Sequence, residues 1–167
     1  YYQYGVMLYH LGQYELALKQ FEQANLVNSK IALSYNAIGG IHFILMDWDK
    51  ASIAWSKALS IEPSAMTYSN LGTSLFYLQQ FDDAASIYIE STKLNDKDAI
   101  VWGNLGDAYK FSKSMNNKAE QAYKRALELS KKRELINPND KNLQAQIARY
   151  YSELEQCDSA LSYKQQV

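Results

Sequence analysis

His10, His42, Cys157, Asn70 and Asn104 are the residues whose chemistry invites a first reading. Neither histidine has a cysteine or carboxylate cluster at ligand spacing, so the pattern does not propose a metal site. His42 falls on a core-facing slot and is read as a satisfied core histidine. Cys157 has no histidine or basic partner near it in sequence, so it is read as a small buried hydrophobe rather than a nucleophile. No glycine-rich phosphate loop and no nucleophile elbow occurs, and no cofactor is expected. Catalysis would need a domain outside these residues. Asparagine is different, because its amide offers a donor and an acceptor together, the pair that an extended peptide backbone presents. The chemistry this chain advertises is therefore recognition, not catalysis.

Those side chains must be positioned by something. Tyr68, Leu71, Gly72 and Leu75 fall at i, i+3, i+4 and i+7, one apolar stripe on a helix. Gln79 and Gln80 interrupt it, and Phe81, Ala84, Tyr88 and Ser91 repeat the spacing on a second helix. Two amphipathic helices with a short polar break make a hairpin with two apolar faces, which needs copies of itself on either side. The small residue of the first helix recurs at Gly5, Gly39, Gly72, Gly106 and Ala148, with spacings of 34, 33, 34 and 42. The alanine of the second helix recurs at Ala17, Ala51, Ala84, Ala119 and Ala160, with spacings of 34, 33, 35 and 41. An aromatic follows four residues later at Phe21, Trp55, Tyr88 and Tyr123. A period near 34 with this content marks a helical repeat array.

On these residues the chain resembles the tetratricopeptide repeat (TPR) family over nearly all its length. The resemblance implies an all-α, right-handed α-solenoid of helix-turn-helix repeats. The units fall at about 1–31, 32–64, 65–98, 99–140 and 141–167. In the fourth, no breaker stands between Leu127 and Ile136, and Pro138 comes twelve residues after Ala126. The spacing predicts one helix from Asn117 to about Ile136, seven residues longer than its counterparts and protruding by about 10 Å. The fifth unit is incomplete. Gly12 is placed to cap the first helix in a left-handed conformation, and Asp98 to cap the first helix of the fourth unit.

In TPR proteins the side of each first helix opposite the apolar stripe lines a concave groove. The resemblance places there Tyr2, Gln3, Val6, Tyr9 and His10; then Asn36, Ala37, Gly40, Phe43 and Ile44; then Ser69, Asn70, Thr73, Phe76 and Tyr77; then Gly103, Asn104, Asp107, Lys110 and Phe111; then Ala145, Gln146, Arg149, Ser152 and Glu153. Tyr9, Phe43, Phe76, Tyr77 and Phe111 would form an apolar band. Asn70 and Asn104 would form an asparagine ladder of the kind some TPR proteins use, or the aromatics and asparagines simply pack between helices. Gly40 and Gly103 would admit a ligand backbone or a tight helix contact. Lys110 and Arg149 are the only cations at these places, and Asp107 stands close by, which disfavours the carboxylate clamp of chaperone-binding TPR proteins.

Composition limits the partners. A net charge of −1 gives no bulk attraction to nucleic acid or to a membrane surface. The window Lys110–Lys141 carries +5 and the remainder −6, but Lys131, Lys132 and Arg133 lie near the end of a helix, where cations suit the dipole. No apolar run approaches the roughly 18 residues of a membrane span. With one cysteine no internal disulfide forms, and a soluble, cytoplasmic setting is favoured. The expected function is a non-catalytic scaffold or adaptor that binds a protein or peptide partner. The alternatives are a self-associating structural array and a regulatory domain of a larger enzyme or transcription regulator. Self-association is expected through the end repeats, at Tyr1, Tyr4 and Leu8 on one side and Leu161 and Val167 on the other, where no polar cap is seen and the pattern is cut as in a fragment of a longer array.

Overall fold

The computed structural model describes residues 1–164. Among these, ten α-helices follow one another without a strand: α1 (Tyr2–His10), α2 (Tyr14–Val27), α3 (Ala32–Ile44), α4 (Trp48–Ile61), α5 (Ala65–Tyr77), α6 (Phe81–Leu94), α7 (Ala99–Phe111), α8 (Ala119–Glu134), α9 (Lys141–Glu153) and α10 (Cys157–Lys164). The fold is an all-α solenoid of helical repeats. It divides into two units, Tyr1–Ile87 and Tyr88–Val167. Val167, part of the expected end patch, lies outside the described residues.

Local chemistry explains where the helices start. Asp47, Ser64, Asp98 and Asp140 each accept a hydrogen bond from a first-turn backbone N–H, at 3.3, 3.2, 2.9 and 3.1 Å for the shortest in each case. These satisfy donors that the helix itself leaves unpaired. Most turns within hairpins share one device. Gly12, Met46, Gln79 and Glu155 sit at positive φ, from 58° to 72°. Only Gly12 adopts that left-handed conformation without steric cost. The turn after α7 is built differently. Its extra residue is accommodated by Ser112, whose Oγ accepts from the N–H groups of Ser114 (3.1 Å) and Met115 (2.9 Å). A 3-10 turn, Asn116–Lys118, then leads into α8.

In the first unit Leu8, Ala17 and Phe21 pack with Ile38, Ile41 and Ala54 of the next hairpin. Burying a Phe or Ile side chain in this way stabilises by about 1.5–3 kcal/mol. The small residue of each first helix has a steric reason. A Cβ on Gly5 would lie 2.8 Å from the Phe21 ring, and one on Gly39 would lie 2.6 Å from Trp55. The recurring glycine and the aromatic four residues after the recurring alanine are therefore one contact, repeated. Ser34 Oγ donates to the Phe21 carbonyl across hairpins at 3.0 Å. In the second unit Leu105, Tyr123, Leu129, Leu143, Ile147 and Tyr150 are buried.

Three expectations are corrected. Helix α8 is continuous through Ser130 but spans 16 residues, against 14 in α2, α4 and α6. Two extra residues add about 3 Å, not 10; Leu135 N–H still reaches Lys131 O, and Ile136 and Asn137 N–H both turn back to Arg133 O. Leu8 is buried at 3% exposure, because it faces α2 and α3 rather than the open side of α1. Cys157 is exposed, as the first residue of α10, rather than a buried hydrophobe.

Candidate functional site

The sequence-predicted site residues of the first unit lie on α1, α3 and α5. These three helices contain no Asp, Glu, Lys or Arg at all. The charges of that unit sit on the second helices and the loops. The aromatic residues are brought together. The Phe43 ring lies 4.8 Å from Trp48, 5.7 Å from Trp55 and 5.8 Å from Tyr77. Trp48 and Tyr77 stack at 4.6 Å with their planes 16° apart. Phe76 meets Phe81 edge-on at 5.3 Å. Tyr77 keeps 54% of its surface exposed. Tyr9 packs separately, against His10 and Tyr14. The expected band is thus a ring cluster that helps hold α3, α4 and α5 together and still offers an aromatic surface to solvent.

Trp48 belongs to this cluster and was not among the expected site residues. A signal was present. It stands three residues before Ala51, as Tyr14 stands before Ala17 and Phe81 before Ala84.

The polar candidates differ among themselves. Asn36 Oδ1 accepts from Thr67 Oγ1 at 2.9 Å, and its backbone carbonyl accepts from Trp55 Nε1 at 3.3 Å. Its acceptor is therefore committed to joining α3 to α5, which leaves the amide donors for a ligand. Asn70 is half-buried on α5, and Asn104 is half-buried on α7. Gly40 is open: a Cβ built there meets no heavy atom within 4 Å. Gly103 is not open. The Tyr150 hydroxyl lies 2.5 Å from where its Cβ would be, so this glycine serves a tight contact between α7 and α9 rather than the approach of a ligand backbone.

In the second unit the charged residues at the expected groove positions are paired. Asp107 accepts from Tyr123 OH at 2.8 Å through one oxygen and from Arg149 Nη1 at 2.9 Å through the other. Lys110 Nζ meets Glu153 Oε2 at 2.7 Å. Burial raises the Tyr123 phenol well above its ordinary value, with Asp107 adding to the effect. Burial works against the Arg149 charge, but Asp107 and Tyr150 together outweigh it and the guanidinium is held above its ordinary value. The two cations at groove positions are thus neutralised inside the unit, and no unpaired lysine–arginine clamp for a carboxylate is formed by them. Phe111 is exposed at the end of α7.

His42 is mostly buried, with Nδ1 3.9 Å from Asp47 Oδ2. Burial lowers its pKa below the ordinary 6.5, against the pull of Asp47. No group of three or more His, Cys, Asp or Glu that could hold a metal occurs among the described residues. Among them, no helix is long and apolar enough to cross a membrane.

Comparison with known proteins agrees with the hairpin geometry. A tetratricopeptide repeat family model matches residues 1–30 and 99–133, and a second of the same description matches 64–94. The chain belongs to the tetratricopeptide repeat family. Two relatives that the chain matches are the cilia- and flagella-associated protein 70 of Homo sapiens and the heat shock protein STI1 of Saccharomyces cerevisiae. The first is 28% identical over 109 residues, 65% of this chain and 10% of that protein. The second is 32% identical over 103 residues, 60% of this chain and 17% of that protein. The chain thus spans a small fraction of these relatives. Among solved structures, MamA from Desulfovibrio magneticus RS-1 aligns with a TM-score of 0.76 at 17% identity, covering 98% of this chain and 88% of that one. YrrB, described as a TPR protein with an unusual peptide-binding site, aligns with a TM-score of 0.72 at 19% identity, covering 99% and 81%. At such identities the likeness is one of TPR fold.

Proposed function

We propose that this TPR chain is a non-catalytic interaction module that binds a protein or peptide segment on the groove-lining faces of its first helices. The observation that carries the reading is the face of α3 and α5. It joins an exposed aromatic cluster, the open Gly40 backbone and the half-buried Asn70, with no ionisable Asp, Glu, Lys or Arg on either helix. Such a face suits an uncharged segment. Its apolar or aromatic side chains would lie on Phe43, Trp48 and Tyr77, and its backbone would be met by an asparagine amide. The peptide-binding description of YrrB supports the same kind of role. Asn104, Lys110, Asp107 and Phe111 are proposed as the counterpart surface of the second unit.

Site-specific photocrosslinking tests this. A benzoylphenylalanine at Tyr77 should capture a partner from a lysate of the source cell, while the same group at Ser60 should not. Asn70→Ala should then weaken the captured partner by about 1–3 kcal/mol if a buried hydrogen bond is lost. Equal capture from both positions, or unchanged affinity of N70A, would refute the assignment of this face.

A further inference from the structure

A second cleft lies in the first unit, on the other side of α3. Its volume is about 520 Å³, and its walls are α2, α3 and α4. Tyr35, Ile38 and His42 point into it. At about 100° per residue, they lie roughly a third of a turn or more around α3 from Asn36, Gly40 and Phe43. The cleft is therefore separate from the face proposed above.

Its lining departs from the repeat. The place eight residues after the recurring alanine is Leu59 in the second hairpin and Leu127 in the fourth; in the first it is Asn25. The place three residues after the recurring glycine is Leu8 in the first hairpin and Leu75 in the third; in the second it is His42. The first place is Thr92 in the third hairpin, and the second is Tyr109 and Tyr151 in the fourth and fifth, so leucine is common there but not constant. The two polar residues Asn25 and His42 line this one cleft. The Asn25 Oδ1 is buried and has no hydrogen-bond partner among the described residues. A buried acceptor left unpaired costs about 1–3 kcal/mol, and a ligand donor would remove that cost.

The remaining walls specify more. Leu26 on α2 and Ile53 on α4 line the cleft and are 77% and 56% exposed. Ile38 and Ala54 form an apolar floor. On the α4 side Lys57 lies over the Tyr35 ring at 5.7 Å. Lys50 is already engaged by Asp47 at 2.7 Å, and Glu22 stands on the α2 side. The α4 wall thus offers a cation, the α2 wall an acceptor, and the space between them is aliphatic.

We propose that this cleft is a second docking site, taking a short peptide segment in which an aliphatic side chain is next to an acidic one. The aliphatic side chain fills the space between Leu26 and Ile53. The carboxylate meets Lys57. A backbone N–H of the segment donates to Asn25 Oδ1. A volume of this size accommodates a few residues. The face of α3 and α5, by contrast, has no cation to attract such a segment.

Peptide selection tests the proposal. A random peptide library displayed on phage is selected against the 167-residue chain, and the enriched peptides are synthesised. Their affinities are measured for the wild type, Ile53→Asp, Lys57→Glu, Asn25→Leu and a groove variant, Phe43→Ala/Tyr77→Ala, each first checked for wild-type helicity by circular dichroism. The expected result is a family of peptides with an Asp or Glu beside a Leu, Ile or Val. These should lose about tenfold or more in affinity for I53D and for K57E, lose measurably for N25L, and keep their affinity for the groove variant. Because Ile53 and Lys57 are exposed, I53D and K57E should fold. Enriched peptides that bind I53D as well as wild type, that lack an acidic residue, or that lose affinity only in the groove variant would overturn the proposal. Failure to enrich any peptide that distinguishes wild type from I53D would overturn it too. Loss only in the groove variant would point instead to the face of α3 and α5, so the failure of this proposal and that of the groove reading stay distinguishable.

Discussion

The Tyr150 hydroxyl occupies the space that a Gly103 side chain would need, 2.5 Å from an ideal Cβ, while donating to the Ala99 carbonyl at 3.0 Å. Gly103→Ala gains helix propensity of about 1 kcal/mol, yet it must push a fully buried ring. Overpacking of this kind costs about 1–3 kcal/mol, and the clash should win. The expected outcome is a lower thermal midpoint for G103A. In a Tyr150→Leu background the penalty should shrink, because the hydroxyl, Cε1 and Cζ, which lie 2.5, 2.6 and 2.8 Å from that Cβ, are all gone. Equal penalties in both backgrounds would show that the contact is not the cause.

Gly40 is the counter-example on the neighbouring unit. Nothing stands within 4 Å of its missing side chain. Gly40→Ala should therefore stabilise the fold by up to about 1 kcal/mol. If a ligand backbone approaches α3 there, the same change should weaken the partner captured from Tyr77. Urea unfolding and binding measured on one variant separate the two effects.

Buried serines should respond in opposite directions. Ser130 is fully buried in α8 and its Oγ has no partner among the described residues, whereas Ser34 Oγ donates to the Phe21 carbonyl at 3.0 Å. Ser130→Ala removes an unmet hydroxyl and should raise stability by about 1 kcal/mol. Ser34→Ala removes a bond between hairpins and should lower it by a similar amount. Denaturant midpoints for the two variants provide the comparison.

His42 gives the chain a pH dependence with a definite sign. Burial lowers its folded pKa below the ordinary 6.5, so between those two values the unfolded chain binds more protons. Stability from this residue is complete above pH 6.5 and is lost as pH falls through the window below it. His42→Gln should therefore gain relative to wild type between pH 7.5 and pH 5. Asp47, Lys50 and Glu22 also act on His42, so the comparison is of wild type with variant, not of either alone. Parallel loss in both chains would rule out the imidazole.

Helix α1 leaves Tyr1, Tyr4 and Met7 exposed, and α10 leaves Leu161 exposed. Apolar surface of this kind favours contact between copies. Sedimentation of the 167-residue chain is expected to show association at high concentration, relieved by Tyr4→Glu/Met7→Lys. Monomers at all concentrations would leave the interaction module as the simpler account.

Helix identity was legible because the repeat writes the same contact several times. Gly5, Gly39 and Gly106 each announce an aromatic partner, and the period of 34 fixes which one. Asp98 and Gly12 were legible as caps because a cap is chosen by a single residue's own backbone chemistry. What could not be read is what one helix does to a distant one. Gly103 could be an opening or a tight helix contact, and only Tyr150, 47 positions away, decides for the contact. That Thr67, 31 positions away, would take the Asn36 side-chain oxygen was not legible either. Asp107 beside the groove cations was legible and argued against a clamp, but that Glu153 pairs with Lys110, 43 positions away, was not. Helix α8 was overestimated because a stretch without Gly or Pro need not stay helical. Leu135 and Ile136 have no partner to bury them and are 85% and 86% exposed in the turn that follows.

The stack of Trp48 on Tyr77 gives the molecule an optical handle. Of its three tryptophans, Trp55 is buried against Gly39, and Trp102 donates its indole N–H to the Asp96 carbonyl at 3.0 Å in the other unit. Trp48 alone combines partial exposure with a place in the proposed recognition face. With Trp102 replaced by phenylalanine, emission arises only from Trp48 and Trp55. A peptide that covers Trp48 or parts it from Tyr77 then alters the colour or intensity of that emission. The chain thereby reports on its own occupancy without a label.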